Sequence, residues 1–187
     1  MIWNLLLNYL CLIIFSVSSA QVGLSAEKLL KGGALRKGSS GLLIPRFVSL
    51  KSNEVNVRKG PGTDFKVSWV YRKTGLPIEV IAESGNWRRV RDSEGVEGWI
   101  FHRLLSAKRT ITVMPWSEIG QNGKRAKIPI YRTTSETKND IILYVEAGIL
   151  GGVIKCDGMW CKISFAQHQG WIRQKKLWGV YPNETVE

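Results

Sequence analysis

The sequence predicts an all-β fold of two small β-barrels in tandem, preceded by a signal peptide and a flexible basic linker. Three observations carry that expectation. Short stretches with the two-residue period of half-buried strands recur along the chain, separated by Gly, Pro, Asn, Asp or Ser. Two Trp-bearing segments return at a near-constant interval. The 187 residues hold two units of roughly sixty residues each, with little room for a separate catalytic domain.

Taken in order, residues 2–17 form an apolar run broken only by Asn4, Asn8 and Ser16, and Ser18-Ser19-Ala20 supplies the small residues of a cleavage site. A signal peptide cleaved after Ala20 is expected, because the 16-residue run falls short of the roughly 20 residues of a membrane span. No Lys or Arg precedes the run, whereas Lys28, Lys31, Arg36 and Lys37 follow it, so the true start is expected upstream of Met1. Cys11 lacks the small residues that precede a lipid-modified cysteine. Residues 21–45, rich in Gly, Ser, Lys and Leu without a sustained period, read as a flexible basic tether.

The first unit is expected over residues 46–114, with strands at 47–50, 54–58, 67–71, 78–82, 87–91, 98–101 and 110–113. Residues 115–126, with Pro115 and Gly120-Gln121-Asn122-Gly123, read as a linker, 127–182 as a second unit and 183–187 as a tail. The second unit repeats the first: Trp87 and Trp160 lie 73 residues apart, Trp99 and Trp171 72, and Val57 and Ile130 73. Three anchors at an offset constant to within one residue indicate a duplication.

With Asn56-Val57-Arg58-Lys59-Gly60-Pro61-Gly62, a turn-flanked Trp87 and Gly98-Trp99-Ile100 in this order, the first unit resembles a bacterial SH3-like (SH3b) domain. The second resembles it more weakly, since Ile130-Tyr131-Arg132-Thr133-Thr134-Ser135 replaces the Gly-Pro pattern while the Trp160 hairpin and Gly170-Trp171 survive. The resemblance implies five or six strands in two roughly orthogonal sheets and a module that binds rather than catalyses, commonly to cell-wall peptides. It also implies that the Trp opening the hairpin strand belongs to the ligand groove.

Strand alternation points to the same hairpin. If Val90 faces the core, Trp87, Arg89 and Arg91 share the opposite face, where an aromatic ring and cations can hold a ring-bearing or anionic ligand. Trp160 repeats this position, and Tyr71, Trp69 and Tyr131 are candidate groove neighbours. The alternative is that each Trp folds over the barrel end as a lid. Trp99 and Trp171 are expected in the core, with Gly98 and Gly170 admitting another backbone, and Asn56, Val57, Arg58, Gly60 and Pro61 as a structural motif.

Cys156 and Cys161 flank a short turn. A hairpin closed over residues 157–160 sets them opposite each other and suits a disulfide, whereas a turn at Asp157-Gly158 sets them diagonally. Copy one carries the opposite-charge pair Glu83 and Arg88 at the same places. A thiol nucleophile, or zinc on these cysteines with His168, lacks a further partner. His102 reads as a surface residue, and no nucleotide fingerprint occurs, so no cofactor, metal or catalytic residue is expected.

Lys and Arg outnumber Asp and Glu by 27 to 15, for a formal charge of +12, which favours anionic partners or serves solubility alone. The expected function is that of a periplasmic or secreted, non-catalytic module for a cell-wall or envelope component, a peptidoglycan peptide or an envelope protein. No membrane span is expected after signal cleavage. The alternative is a basic adhesin or scaffold that holds glycosaminoglycan, nucleic acid or acidic lipid by charge.

Overall fold

The computed structural model describes residues 35–187; the expected signal peptide and residues 21–34 of the expected tether lie outside the described residues. From residue 35 the tether is ordered into a hairpin of β1 (Arg36–Lys37) and β2 (Leu43–Ile44), which corrects the expectation of a featureless linker there. Its turn works because Gly41 adopts a φ of 79°. The backbone N–H and hydroxyl of Ser40 both donate to the Glu83 carboxylate, at 2.7 and 2.8 Å, which docks the hairpin on the sheet.

The first sheet comprises β3 (Arg46–Leu50), β4 (Val55–Arg58), β5 (Val67–Tyr71), β6 (Pro77–Ser84), β7 (Trp87–Arg91), β8 (Glu97–Phe101) and β9 (Leu105–Ser106). Their spatial order is β5-β4-β8-β7-β6-β3-β9. The second sheet comprises β10 (Thr110–Val113), β11 (Lys127–Tyr131), β12 (Ile141–Glu146), β13 (Leu150–Asp157), β14 (Trp160–Phe165), β15 (His168–Arg173), β16 (Leu177–Trp178) and β17 (Thr185–Val186). Its order is β12-β11-β15-β14-β13-β10-β16, with β17 also on β13. The two orders are the same permutation, so the duplication read from the Trp spacing extends to the whole topology. Among the described residues the only helical pieces are three-residue 3-10 turns, and none is long and apolar enough to cross a membrane.

Four expectations change. The sheets are open paths, not closed barrels: no ladder joins the outer strands of either, and β4 meets β8 through the single register pair Arg58 and Trp99. Residues 110–113, expected to close the first unit, open the second, because Thr110 pairs with Gly152 and Val113 with Leu177. Residues 115–126 are therefore a loop within the second sheet, not a linker between units. The expected tail also contributes a strand, with Val186 paired to Cys156.

Each sheet folds over its own apolar cluster. Val57, Val80, Val90 and Ile100 lie in the first, Ile130, Ile163 and Ile172 at corresponding places in the second, and all are 0 or 1% exposed. Full burial of such a side chain contributes about 1.5 to 3 kcal/mol. Gly98 is required because a Cβ there would overlap the Val57 side chain and come within 3.1 Å of the Arg58 carbonyl oxygen. Gly170 repeats this under Ile130, with the Tyr131 carbonyl oxygen at 2.9 Å. The close-approach role read for these glycines is thus what the packing uses.

Strand β3 is buried on both faces: Val48 and Leu50 enter the core, while Phe47 points to the C-terminal segment. The Phe47 ring meets Trp178 at 5.0 Å and Tyr181 at 4.7 Å between centroids. Trp178 Nε1 donates to the Pro77 carbonyl oxygen at 3.1 Å, and the Tyr181 hydroxyl donates to Glu79 at 3.0 Å. Glu79, 4% exposed, also accepts two hydrogen bonds from Arg91, at 2.6 and 3.0 Å. Burial of the Tyr181 phenol, together with the Glu79 charge, holds its pKa well above the ordinary value.

Cys156 and Cys161 are directly opposite in register, 4.1 Å apart at Cα, and bridged, which decides between the two turn geometries. The central turn residues are Gly158, at φ 96°, and Met159. The short closed loop limits the stabilisation to about 2 kcal/mol. Replacing both cysteines by Ser should lower stability by about that amount in denaturant unfolding, and the unreduced 35–187 region should show no free thiol. Arg91→Ala, which strips the buried Glu79 carboxylate of its cation, should cost roughly 2 to 4 kcal/mol in the same measurement.

Candidate functional site

The β6–β7 hairpin that presents Trp87 turns at Gly85-Asn86, with Gly85 at φ 51°. Its base is fixed by electrostatics. Glu83 and Arg88 are register partners, and Glu83 Oε1 lies 3.1 Å from Arg88 Nε and 2.8 Å from an Arg46 amino group. The Glu83 side chain is only 1% exposed. Burial alone would favour its neutral form, but the Ser40 N–H and hydroxyl, Arg46 and the Arg88 charge outweigh it and lower the pKa to about 2.

Along β7, Arg88 and Val90 are buried while Trp87, Arg89 and Arg91 turn outward, as the alternation predicts. The three do not form one site. Arg91 is committed to Glu79, whose hydrogen bonds raise its pKa, and Arg89 pairs with Glu97 at 2.7 Å. Trp87 alone lines a groove of about 460 Å³, with Phe101 at 5.6 Å between ring centroids forming an edge-on wall. Asn56, Arg58, Asp64 and Asn86 supply its polar lining.

The opening motif therefore does more than shape the strand. Val55 and Val57 enter the core, which turns Asn56 and Arg58 to the groove side. Arg58 donates to the carbonyl oxygens of Thr63 and Phe65, at 3.0 and 2.7 Å, and so holds the Gly-Pro-Gly loop that carries Asp64. The Phe65 ring lies over Gly60, where a Cβ would overlap it. Asn56 and Arg58 thus form a wall of the groove beyond the structural role expected of the motif, and their alternation with two valines is its signal in the sequence. Asp64 and Phe101 carried no comparable signal, since only the folded loop brings them to Trp87.

Tyr71 is not a groove neighbour. It is 6% exposed and donates to Asp92 at 2.8 Å; burial and that hydrogen bond raise its pKa well above the ordinary value. Trp69 is exposed on the edge strand and stacks edge-on against Tyr71 at 6.4 Å. Trp99 and Trp171, expected in the core, are half-buried on the outer faces of β8 and β15, because Ile100 and Ile172 take the inward positions. Lys155 Nζ lies 5.3 Å from the Trp171 ring centre, beside a depression of about 490 Å³.

In the second copy the equivalent groove is filled. Trp160 is 5% exposed, with Tyr131 edge-on at 5.7 Å and the Arg173 guanidinium 4.3 Å from its ring centre. Trp160 is thus the covered lid of the alternative reading and not an open binding surface. His168 is paired with Phe165 at the far end of the β14–β15 hairpin, whereas Cys161 is paired with Ile172, so His168 and the cysteines are not brought together. The disulfide also removes both thiols from nucleophilic or metal chemistry.

The family model described as the bacterial SH3 domain matches residues 51–107 and again residues 124–179. Among curated proteins, the putative N-acetylmuramoyl-L-alanine amidase YrvJ of Bacillus subtilis is 26% identical over 125 residues, 66% of this chain and 24% of its own. The chain therefore spans about a quarter of that relative's length. Two solved structures from Trichomonas vaginalis, NlpC2 and NlpC1, are each similar at 19% identity and a TM-score of 0.32. They cover 71 and 76% of this chain with 47 and 48% of theirs.

The Glu83 carboxylate gives the site hairpin a pH signature. Because its pKa is depressed from 4.5 to about 2, its stabilisation is complete above pH 4.5 and is lost as pH falls towards 2. The loss should be on the order of 3 kcal/mol. Glu83→Gln should be less stable at neutral pH and should flatten that part of the stability–pH profile, measured by denaturant unfolding.

Proposed function

The chain belongs to the bacterial SH3 domain family, and on that premise we propose that it is an exported, non-catalytic binding module for a cell-envelope component, a peptidoglycan peptide or an envelope protein. The observation that carries the proposal is the open Trp87–Phe101 groove of the first copy, a concave aromatic surface with a few convergent polar groups. An envelope ligand is supported by the relative named as an N-acetylmuramoyl-L-alanine amidase, which this chain matches over only part of that relative's length. The Cys156–Cys161 bridge fits the oxidising compartment outside the cytoplasm. In this reading the first copy binds, and the second, its groove filled by Arg173, supports it.

Purified sacculi should retain the protein at about 1 M salt, where charges are screened beyond about 3 Å. Trp87→Ala should weaken that binding by roughly ten-fold or more, with unchanged circular dichroism. Binding that collapses with salt and ignores Trp87→Ala would instead favour the adhesin or scaffold reading, for which the +12 charge is the supporting observation.

A further inference from the structure

The two copies place the same elements around their hairpin Trp, and one of the positions at which they differ is the register partner of that Trp. Trp87 is the register partner of Phe101, and Trp160 is the register partner of Arg173. Arg173 thus occupies in the second copy the place of Phe101 in the first. Its guanidinium lies 4.3 Å from the Trp160 ring centre, the geometry of a cation–π contact, and its Nε lies 3.2 Å from Glu136. Glu136 comes from the loop after β11. The second copy therefore holds a cation of its own between a Trp face and a carboxylate.

The first copy has a Trp and a carboxylate on its groove and no cation at the register position of Arg173. Its loop after β4, the counterpart of the Glu136 loop, brings Asp64 to the groove beside Trp87. Among the described residues Asp64 enters no ion pair. Arg58, the one cation among the described residues that line this groove, keeps its charge, but its Nη1 is tied to its own loop through the carbonyls of Thr63 and Phe65. Phe101, where Arg173 would be, widens the aromatic surface and contributes no charge.

We propose that the first-copy groove takes a protonated primary amine of its envelope ligand between the Trp87 ring and the Asp64 carboxylate, the place filled by Arg173 in the second copy. This rests on the reading of the Trp87 groove as the binding site and adds the chemical class that the groove selects. An amine loses both contacts when acylated, because it no longer carries a charge for the ring or the carboxylate.

The test compares sacculi with free amines against the same sacculi after N-acetylation, using the full chain at high salt. Acetylation should reduce binding at least ten-fold. Asp64→Asn, a change in an exposed loop, should bind native sacculi as weakly as the wild type binds acetylated ones. Phe101→Arg should build the internal cation of the second copy and abolish binding. As a probe independent of sacculi, trilysine should shift the Trp87 indole N–H signal in NMR titration, and its fully N-acetylated form should not. If Trp87→Ala abolishes sacculus binding while acetylation and Asp64→Asn leave it unchanged, the groove stands and the amine proposal falls. If the wild type ignores sacculi altogether, the envelope reading fails, and an indole signal unmoved by trilysine then overturns the amine proposal as well.

Discussion

Two strands cross so closely at Gly98 and at Gly170 that a side chain on either glycine would overlap the strand beneath, and the rest of each sheet follows from that approach. It presses Val57 and Ile130 into the two cores and sets Arg58 beside Trp99 and Tyr131 beside Trp171. With β4 anchored to β8, the loop after β4 has to hang over the end of β7, where Trp87 begins. The groove is thus a by-product of a backbone contact. Of the residues at the contact, Arg58 lies in the groove wall.

Duplication kept the backbone solution and varied what covers it. The second copy lost the Gly-Pro-Gly turn and replaced Arg58 by Tyr131 and Phe101 by Arg173, so the space beside its Trp is closed by an aromatic edge and a guanidinium. The bond across each hairpin changed too. Glu83 and Arg88 hold the first through a buried ion pair, and a disulfide holds the second at the corresponding register. A buried carboxylate is tolerated only because Ser40, Arg46 and Arg88 all donate to it. That requirement explains the ordered β1–β2 hairpin, which lies in a stretch whose composition suits a tether.

The C-terminal segment has a comparable role at the other end of the first sheet. Phe47 points away from its own core and would be an exposed aromatic without Trp178 and Tyr181, more than a hundred residues later in the chain. The polar groups that accompany the contact are satisfied in the same place, Trp178 by Pro77 and Tyr181 by Glu79. Arg91, outward-facing and cationic in the sequence, is drawn into this network and away from any ligand.

The all-β class, the two copies, the inward side of β7 and the opposition of Glu83 to Arg88 are legible in the sequence, whereas the turn at Cys156 and Cys161 stays open there and Trp99 and Trp171 face outward against expectation. The legible features depend on local period, turn residues and register, which nearest neighbours set. Strand membership is legible only where motifs are present: residues 110–113, which follow the first unit in sequence, pair with strands of the second sheet, because a short apolar strand carries no mark of its partners. The openness of a groove was not legible at all. Trp87 and Trp160 sit in equivalent strands with equivalent alternation, yet one lines a cavity and the other is covered, because the covering residue comes from a different strand. Tertiary structure decided that, since a side chain's surroundings depend on segments distant in sequence whose positions are fixed only when the sheets close over their cores.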